Sequence, residues 1–236
     1  MQSFSGKLTA VKISPSGQNQ AVISAPRDIL PGPGQYLQVH LWGDHTEALG
    51  YQVFLGDVHH QFLEGDVVEF TTAGEFPDGW EIGSQLALQG HFGRGFSGPG
   101  NARRVGLAVL GPTFDRLNPL SQLALQSGAD ISVFGDIKIN HLSPQIEVRP
   151  LNELPDSMSW MDYLAVDIPS GKLEEIPRLL SDSPSFPAVH TAEILVDITM
   201  PCSGIADCRV CEISAGNQKP VLVCKQGPVI NWGDLY

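Results

Sequence analysis

The stretch RRVGLAVLG, residues 103–111, decides the fold, because the pattern of apolar residues changes at this point of the chain. It is a nearly continuous apolar run, which is typical of a parallel strand that is buried on both faces of its sheet. The segment NPLSQLALQSG (118–128) follows and predicts a helix that ends at Gly128. The strand–helix alternation continues through ADISVFG (129–135), MDYLAVDIP (161–169), KLEEIPRLL (172–180) and TAEILVDI (191–198). We therefore expect a parallel α/β domain over residues 99–198.

Upstream of this stretch, residues 6–98 contain short segments in which apolar residues alternate with polar ones. Turn-forming sequences such as PSG, PGPG and FPDG separate the segments, as expected for consecutive antiparallel strands. The segments are KLTAVKIS (7–14), QNQAVISA (18–25), GQYLQVHLW (34–42), YQVFLGDV (51–58), DVVEFTTAG (66–74) and GSQLALQGHF (83–92). Short strands at this spacing predict a small antiparallel β-barrel, which we assign to residues 1–98.

The composition limits the classes of partner. The chain has 236 residues and a formal net charge of −12, which disfavours binding to nucleic acid and to anionic membrane surfaces. No segment approaches the roughly 18 uninterrupted apolar residues of a membrane-spanning helix. The N-terminal residues MQSFSGKLTAVKIS contain no apolar core flanked by basic residues, so no secretion signal is predicted. We expect a cytoplasmic protein without membrane insertion.

All four cysteines lie within residues 202–224. Their spacing is C-x5-C-x2-C-x12-C, which differs from the plant-type ferredoxin spacing by one extra residue in the first gap. Residues 203–206 would wrap a cluster with backbone N–H groups directed at the sulfurs, and a turn at 215–217 would return the last cysteine. We therefore predict a C-terminal segment, residues 199–236, that binds a 2Fe–2S cluster through Cys202, Cys208, Cys211 and Cys224.

The sequence leaves two other uses of these thiols open. A structural zinc site usually pairs two C-x2–4-C knuckles, whereas only Cys208 and Cys211 form such a knuckle here. Disulfides are disfavoured in a reducing cytoplasm. Iron–sulfur ligation is the preferred interpretation, followed by zinc.

The cysteine segment, MPCSGIADCRVCEI (200–213) with VLVCKQGPVINW (221–232), resembles a known cluster-binding segment. It is similar to the C-terminal part of the electron-transfer subunit of class B dihydroorotate dehydrogenase, whose members carry M-x-C-G-I-G-x-C-x-x-C and V-C-x-x-G-P-V-F. More weakly, PGQYLQV resembles a strand of that family's flavin barrel, and LQGHFGRGF resembles its G-P-L-G-x-G-F segment. The resemblance implies a ferredoxin-reductase-like fold, in which an FAD-binding barrel and an α/β domain precede the 2Fe–2S segment. It also implies a flavoenzyme partner in a hetero-oligomer.

The flavin and nucleotide motifs of that family are degraded in this chain. Members hold the flavin with R-P-x-S, where this sequence has Tyr51, Gln52, Val53 and Phe54 and so lacks both the arginine and the serine. The glycine-rich turn of the α/β domain is replaced by LGPTFDRLNPL (110–120), whose bulky and acidic residues would obstruct a phosphate. We expect weakened or absent FAD binding, with Tyr51, Gln52 and Phe54 as the candidate flavin contacts, and no direct use of NAD.

Three functional hypotheses follow. The leading one is an electron-transfer subunit whose 2Fe–2S cluster relays electrons between a partner flavoenzyme and an acceptor or donor. One alternative is an FAD-dependent, NAD(P)H-linked reductase with a weakened flavin site. The other is a structural scaffold in which the four cysteines bind zinc.

Overall fold

The N-terminal part of the chain forms a closed barrel of six antiparallel strands. A computed structural model describes residues 3–14, 16–43, 50–59, 66–139, 142–180, 191–214 and 219–236. The barrel strands are β1 Ser3–Ile13, β2 Asn19–Pro26, β3 Tyr36–Leu41, β4 Tyr51–His59, β5 Val67–Ala73 and β6 Gln85–Phe92. Their order around the barrel is β1-β2-β5-β4-β3-β6. The barrel predicted from the alternating segments is confirmed.

Inward-pointing apolar side chains fill the barrel. Leu8, Ile23, Leu37, Phe70 and Leu88 are fully buried there. Successive residues of a strand point to opposite faces, so each alternating segment contributes one inward row. Removal of these side chains from water is the main stabilisation of the barrel.

A parallel sheet with short helices follows the barrel. Its strands are β7 Arg104–Val109, β8 Asp130–Gly135, β9 Ile146–Arg149, β10 Tyr163–Pro169 and β11 Thr191–Asp197, in the order β11-β10-β7-β8-β9. The helices are α1 Asn118–Gln126, α2 Leu154–Ser157 and α3 Glu175–Leu180. The predicted α/β layer is confirmed, and β9 and α2 lie in a proline-rich stretch whose pattern predicts neither. In the described part of the chain, no helix is long and apolar enough to cross a membrane.

The parallel strands are buried on both faces, as their apolar runs indicate. Leu107 packs against Leu120 of α1 on one face. On the other face, Leu164 belongs to a core that also contains Tyr36 and Phe54 of the barrel. The barrel and the sheet therefore share one hydrophobic core.

The residues after β11 return to the sheet. They form a hairpin, a helical turn, a strand and a last helical turn: β12 Glu212–Ile213, β13 Val221–Leu222, α4 Val223–Gln226, β14 Val229–Asn231 and α5 Trp232–Leu235. β14 pairs antiparallel with β11 and becomes the sixth strand of the sheet. The predicted hairpin forms, but Cys224 lies in α4 and not on the second strand. The predicted turn at 215–217 lies outside the described residues.

Candidate functional site

The loop between β11 and β12, together with α4, brings the four cysteine side chains to one place. Cys202 Sγ and Cys208 Sγ are 3.8 Å apart. The backbone N–H of Cys224 donates to Cys211 Sγ at 3.3 Å, and the Cys224 side chain contacts those of Cys211 and Cys202. The free thiols thus form two pairs, Cys202–Cys208 and Cys211–Cys224, which meet through Cys202 and Cys224.

Left-handed backbone positions fold the cysteine loop tightly. Ser203, Gly204 and Arg209 have φ angles of 46°, 84° and 57°. A Cβ atom on Gly204 would lie 2.9 Å from the carbonyl oxygen of Cys224, which is closer than such atoms approach in proteins. Glycine therefore lets the loop approach α4 and so brings Cys202 beside Cys224.

The two cysteine pairs differ in their surroundings. Cys208 is exposed and Cys202 half-buried, whereas Cys211 and Cys224 are buried. Hydrogen bonding to the backbone of Ala206 lowers the pKa of Cys202. Burial raises the pKa of Cys224 to about 12, and the adjacent Cys211 thiol adds to this effect. Because only thiolates bind metals, Cys224 would act as a ligand only after a metal displaced its proton.

The paired arrangement of the thiols determines which metal group they suit. Within the described residues, no three His, Cys, Asp or Glu side chains are arranged to hold a single metal ion. A 2Fe–2S cluster instead takes two cysteine thiolates on each of its two irons. The chain supplies four cysteines in one segment, with Cys202 Sγ 3.8 Å from Cys208 Sγ and the Cys224 backbone against Cys211 Sγ, so the donor set fits such a cluster in number and kind.

Two glutamines of the barrel hold the residue that leads into the cysteine loop. Gln38 Nε2 on β3 donates to the Met200 carbonyl at 3.2 Å. The Met200 N–H in turn donates to Gln52 Oε1 on β4 at 3.2 Å. Gln52, a predicted flavin contact, therefore binds the backbone of the chain itself.

The end of the barrel also contacts the segment that follows Cys224. The Arg94 N–H donates to the Gly227 carbonyl at 2.6 Å, and the Arg94 carbonyl accepts from the Val229 N–H at 3.2 Å. A Cβ atom on Gly93, where φ is 78°, would lie 2.9 Å from the Gly227 oxygen. Two motifs of the family resemblance, GHFGRGF and CKQGPVI, thus lie against each other.

A cleft of about 350 Å³ lies between the barrel and the carboxyl end of β11. Ligands of open α/β sheets bind at this edge. The three candidate flavin contacts line the cleft, but they differ in how accessible their side chains are to a ligand. Tyr51 is 40% exposed, while Phe54 is buried with the Arg116 guanidinium 5.7 Å from its ring centroid.

Arg116 forms the inner wall of this cleft. Its Nε and Nη2 donate to the two carboxylate oxygens of Asp167 at 3.0 and 2.8 Å, and Nη1 is 2.7 Å from Asp197 Oδ1. Burial disfavours a charged arginine, but the two carboxylates outweigh it and raise the pKa of Arg116 above its usual range. Two carboxylates around one guanidinium leave this group negative, which opposes the binding of a phosphate.

The barrel covers the N-terminal end of α1. In nucleotide-binding α/β domains, the pyrophosphate binds at the N-terminus of the helix after the first strand. Here Asn118 Nδ2 donates to the Gly56 carbonyl at 2.9 Å, and the Phe114 N–H donates to Ser16 Oγ at 3.2 Å. Both acceptors belong to the barrel, so barrel atoms occupy this end of the helix.

Comparison with known proteins identifies the fold. No family model matches the chain, and no curated protein sequence matches it. A structure of an NADH-dependent reduced ferredoxin–NADP oxidoreductase, studied for flavin-based electron bifurcation, is 13% identical with a TM-score of 0.66, and the match covers 98% of this chain and 91% of that one. The chain has a ferredoxin-reductase-like fold.

Two further structures support this assignment. The Amycolatopsis cytochrome P450 reductase is 14% identical with a TM-score of 0.55, covering 83% of this chain and 70% of that one. Ferredoxin–NADP+ reductase from Plasmodium falciparum is 9% identical with a TM-score of 0.52, covering 83% and 96%. At these low sequence identities, the similarity shows only the fold. It is the same fold that the sequence resemblance of the cysteine segment implies.

Three residues near the cysteine loop and the cleft were not predicted there: Tyr36, Gln38 and Arg116. Gln38 bonds to a residue 162 positions away, and Arg116 to one 51 positions away. The only sequence signal is that Arg116 belongs to LGPTFDRLNPL, the segment that replaces the glycine-rich turn.

Proposed function

We propose that this ferredoxin-reductase-like protein transfers single electrons through a 2Fe–2S cluster held by Cys202, Cys208, Cys211 and Cys224. The observation that carries the proposal is the convergence of the four thiols in two contacting pairs. When bound, the cluster supplies one-electron oxidation and reduction. The residues of the chain hold it, shield one side from water and leave the other side accessible.

Each cysteine pair has its own role in this proposal. Cys211 and Cys224, which are 1% and 9% exposed, keep water from the inner side of the site. The Cys224 N–H that donates to Cys211 Sγ stabilises negative charge on that sulfur. Cys202 and Cys208 lie at the surface, so this outer pair is the side that a partner protein can reach.

The surface around the outer pair suits contact with another protein. Ile205 and Val210 are 72% and 56% exposed beside it. The neighbouring charged side chains are paired within the segment, Lys225 with Asp207 and Arg209 with Glu212. An apolar, nearly neutral patch on a chain with a net charge of −12 is a suitable docking surface.

The proposed partner is a flavoenzyme subunit in a hetero-oligomer. The similarity of the cysteine segment to the dihydroorotate dehydrogenase electron-transfer subunit supports such a partner, although another oxidoreductase would satisfy the same chemistry. Because the cluster carries single electrons, the partner's flavin would divide or combine the two electrons of a hydride. We place this reaction in the cytoplasm, where free thiols persist.

The first experiment is anaerobic purification of the full chain, followed by measurement of iron, acid-labile sulfide, zinc and flavin together with the visible spectrum. About two irons and two acid-labile sulfides per chain, the content of one 2Fe–2S cluster, would support the proposal. Cys211→Ser should lose the iron, whereas Ser214→Ala, in the same segment, should retain it. Zinc without iron would overturn the proposal in favour of the structural scaffold.

The cleft beside β11 favours a second candidate, an FAD-dependent reductase. Tyr51 stands half-exposed in its wall, and an aromatic ring in that position can stack on a flavin. Asp197 and Glu75 also line the cleft and oppose the phosphates of FAD. Stoichiometric FAD with NADH-dependent dye reduction would establish the reductase, and flavin-free protein that retains iron would exclude it.

A further inference from the structure

Tyr36 on β3 carries a buried hydroxyl group that forms no hydrogen bond with the described residues. Its side chain is 0% exposed, and within the described residues its Oη has no hydrogen-bond partner. Phe54 and Phe92 hold the ring from two directions, with ring centroids 5.8 and 5.7 Å away. A buried hydroxyl without a partner is destabilising, so its position next to a candidate metal site indicates a role there.

The hydroxyl group of Tyr36 lies beside the cysteine site. Tyr36 belongs to the same buried cluster as Cys211 and Cys224. Burial is the main cause that raises the pKa of Tyr36 to about 12; the neighbouring Ser203 hydroxyl lowers this pKa, and the nearby cysteines add to the rise. The phenol and the two inner cysteines therefore lie in one buried cluster.

Packing fixes the ring in this position. A Cβ atom on Gly93 would lie 3.3 Å from Cε1 of Tyr36 and 2.9 Å from the Gly227 oxygen. The ring thus lies at the junction between the end of the barrel and the segment that follows Cys224.

We propose that Tyr36 is a positioning residue that donates a hydrogen bond from its Oη to the thiolate of Cys224. Cys224 belongs to the same buried cluster as Tyr36, and the ring lies against the segment that follows Cys224. A thiolate accepts hydrogen bonds more strongly than a thiol because it is charged. The inference rests on the proposed function, since Cys224 becomes a thiolate when it binds a metal. A hydrogen bond to the sulfur stabilises the more negative, reduced cluster and raises its reduction potential.

The test compares the full wild-type chain with Tyr36→Phe, which removes only the hydroxyl group. Both proteins are reconstituted anaerobically with iron and sulfide, and the midpoint potential is measured by a titration followed with EPR. We expect the one-electron reduction equilibrium constant to fall about tenfold, which corresponds to about 59 mV towards negative potential. Without metal, the variant should unfold at the wild-type temperature or above it, because it loses an unpaired hydroxyl.

One further variant serves as a control. Tyr163 is also buried, but its hydroxyl donates to Glu193 Oε2 at 2.7 Å. Tyr163→Phe should therefore lower the unfolding temperature and leave the potential unchanged.

The outcomes separate this inference from the proposed function. Equal potentials for wild type and Tyr36→Phe would show that the phenol does not bond to Cys224. Reduced iron retention by a Tyr36→Phe chain that unfolds normally without metal would support the inference, whereas a lower metal-free unfolding temperature would contradict it. Wild-type protein that takes up no cluster would instead end the proposed function, and this inference with it.

Discussion

At the scale of single residues, Arg116 joins the two parts of the fold. Its guanidinium lies over the ring of Phe54 in the barrel and pairs with Asp167 on β10. The two charged side chains are only 9% and 0% exposed. Removal of one partner leaves the other charge buried without compensation. This destabilises the folded state by more than the net free energy that the intact pair contributes.

We expect Arg116→Ala to destabilise the chain by about 3–5 kcal/mol, because Asp167 would remain buried and unpaired. Urea denaturation of the metal-free protein measures the change. Arg104→Ala is the matched control. Arg104 lies 2.9 Å from Asp162 with a side chain that is 42% exposed, so its loss should have a much smaller effect. Similar decreases in the free energy of unfolding of the two variants would show that burial of the ion pair does not cause the destabilisation.

Gly204 offers a second test at the residue scale, directed at the cysteine site. In Gly204→Ala, the left-handed backbone conformation of residue 204 costs about 1–2 kcal/mol once a side chain is present. The new methyl group would also lie too close to the Cys224 carbonyl oxygen. The loop should move away from α4, and iron per chain after reconstitution should fall. Gly171→Ala, where no described atom lies within 4 Å of the added methyl group, should bind iron as wild type does. Full iron content in Gly204→Ala would refute the close approach.

At the scale of secondary-structure elements, the cysteine loop is held by strands to which it does not belong. Gln38 on β3 and Gln52 on β4 satisfy both backbone groups of Met200. Hydrogen bonds of this kind contribute about 1 kcal/mol each. The entry to the loop is therefore fixed by the barrel, although the loop follows a strand of the sheet.

Gln38→Ala and Gln52→Ala should each loosen the loop, and the double variant should loosen it more. The measurement is hydrogen exchange at the Ser203 and Ile205 amides, which bond within the loop to Met200 and Cys202. Exchange at both amides should become faster in the metal-free chain. Gln20→Ala, a buried glutamine of β2, should leave them unchanged. Loop amides that exchange equally in all variants would contradict the anchoring role.

At the scale of the whole molecule, the barrel and the sheet are coupled through their common core. Tyr36 and Phe54 of the barrel pack in the same cluster as Leu164, Ile194 and Val229 of the sheet. Separation of the two parts would expose this apolar surface to water, which is unfavourable. We therefore expect the parts to unfold together.

Two single-tryptophan variants test this coupling. One keeps Trp80, which packs in the barrel core, and the other keeps Trp160, which packs against the common core. Fluorescence during urea unfolding should give the same midpoint for both, equal to the midpoint from circular dichroism of each variant. Separate midpoints within one variant, between fluorescence and circular dichroism, would show that the parts unfold independently.

The order of elements could be predicted from the sequence because its signals are local. The alternation in residues such as Leu8 and Ile23, and the apolar run of 103–111, depend only on neighbouring positions. The clustering of the four cysteines was likewise visible in their spacing. β9 and β14 could not be predicted, since a strand of four or three residues carries too short a pattern.

The sequence by itself thus determined a barrel followed by an α/β layer and a candidate ligand set in one segment. Three facts needed the tertiary structure: Cys202 lies beside Cys208, Cys224 lies in a helical turn against Cys211, and Tyr36 is buried in the same cluster as Cys211 and Cys224. The tertiary structure also decided that Gln52 binds Met200 and that Arg116 covers Phe54. The physical reason is that these contacts join residues distant in the chain, and their energies depend on burial and on partners that no local pattern specifies.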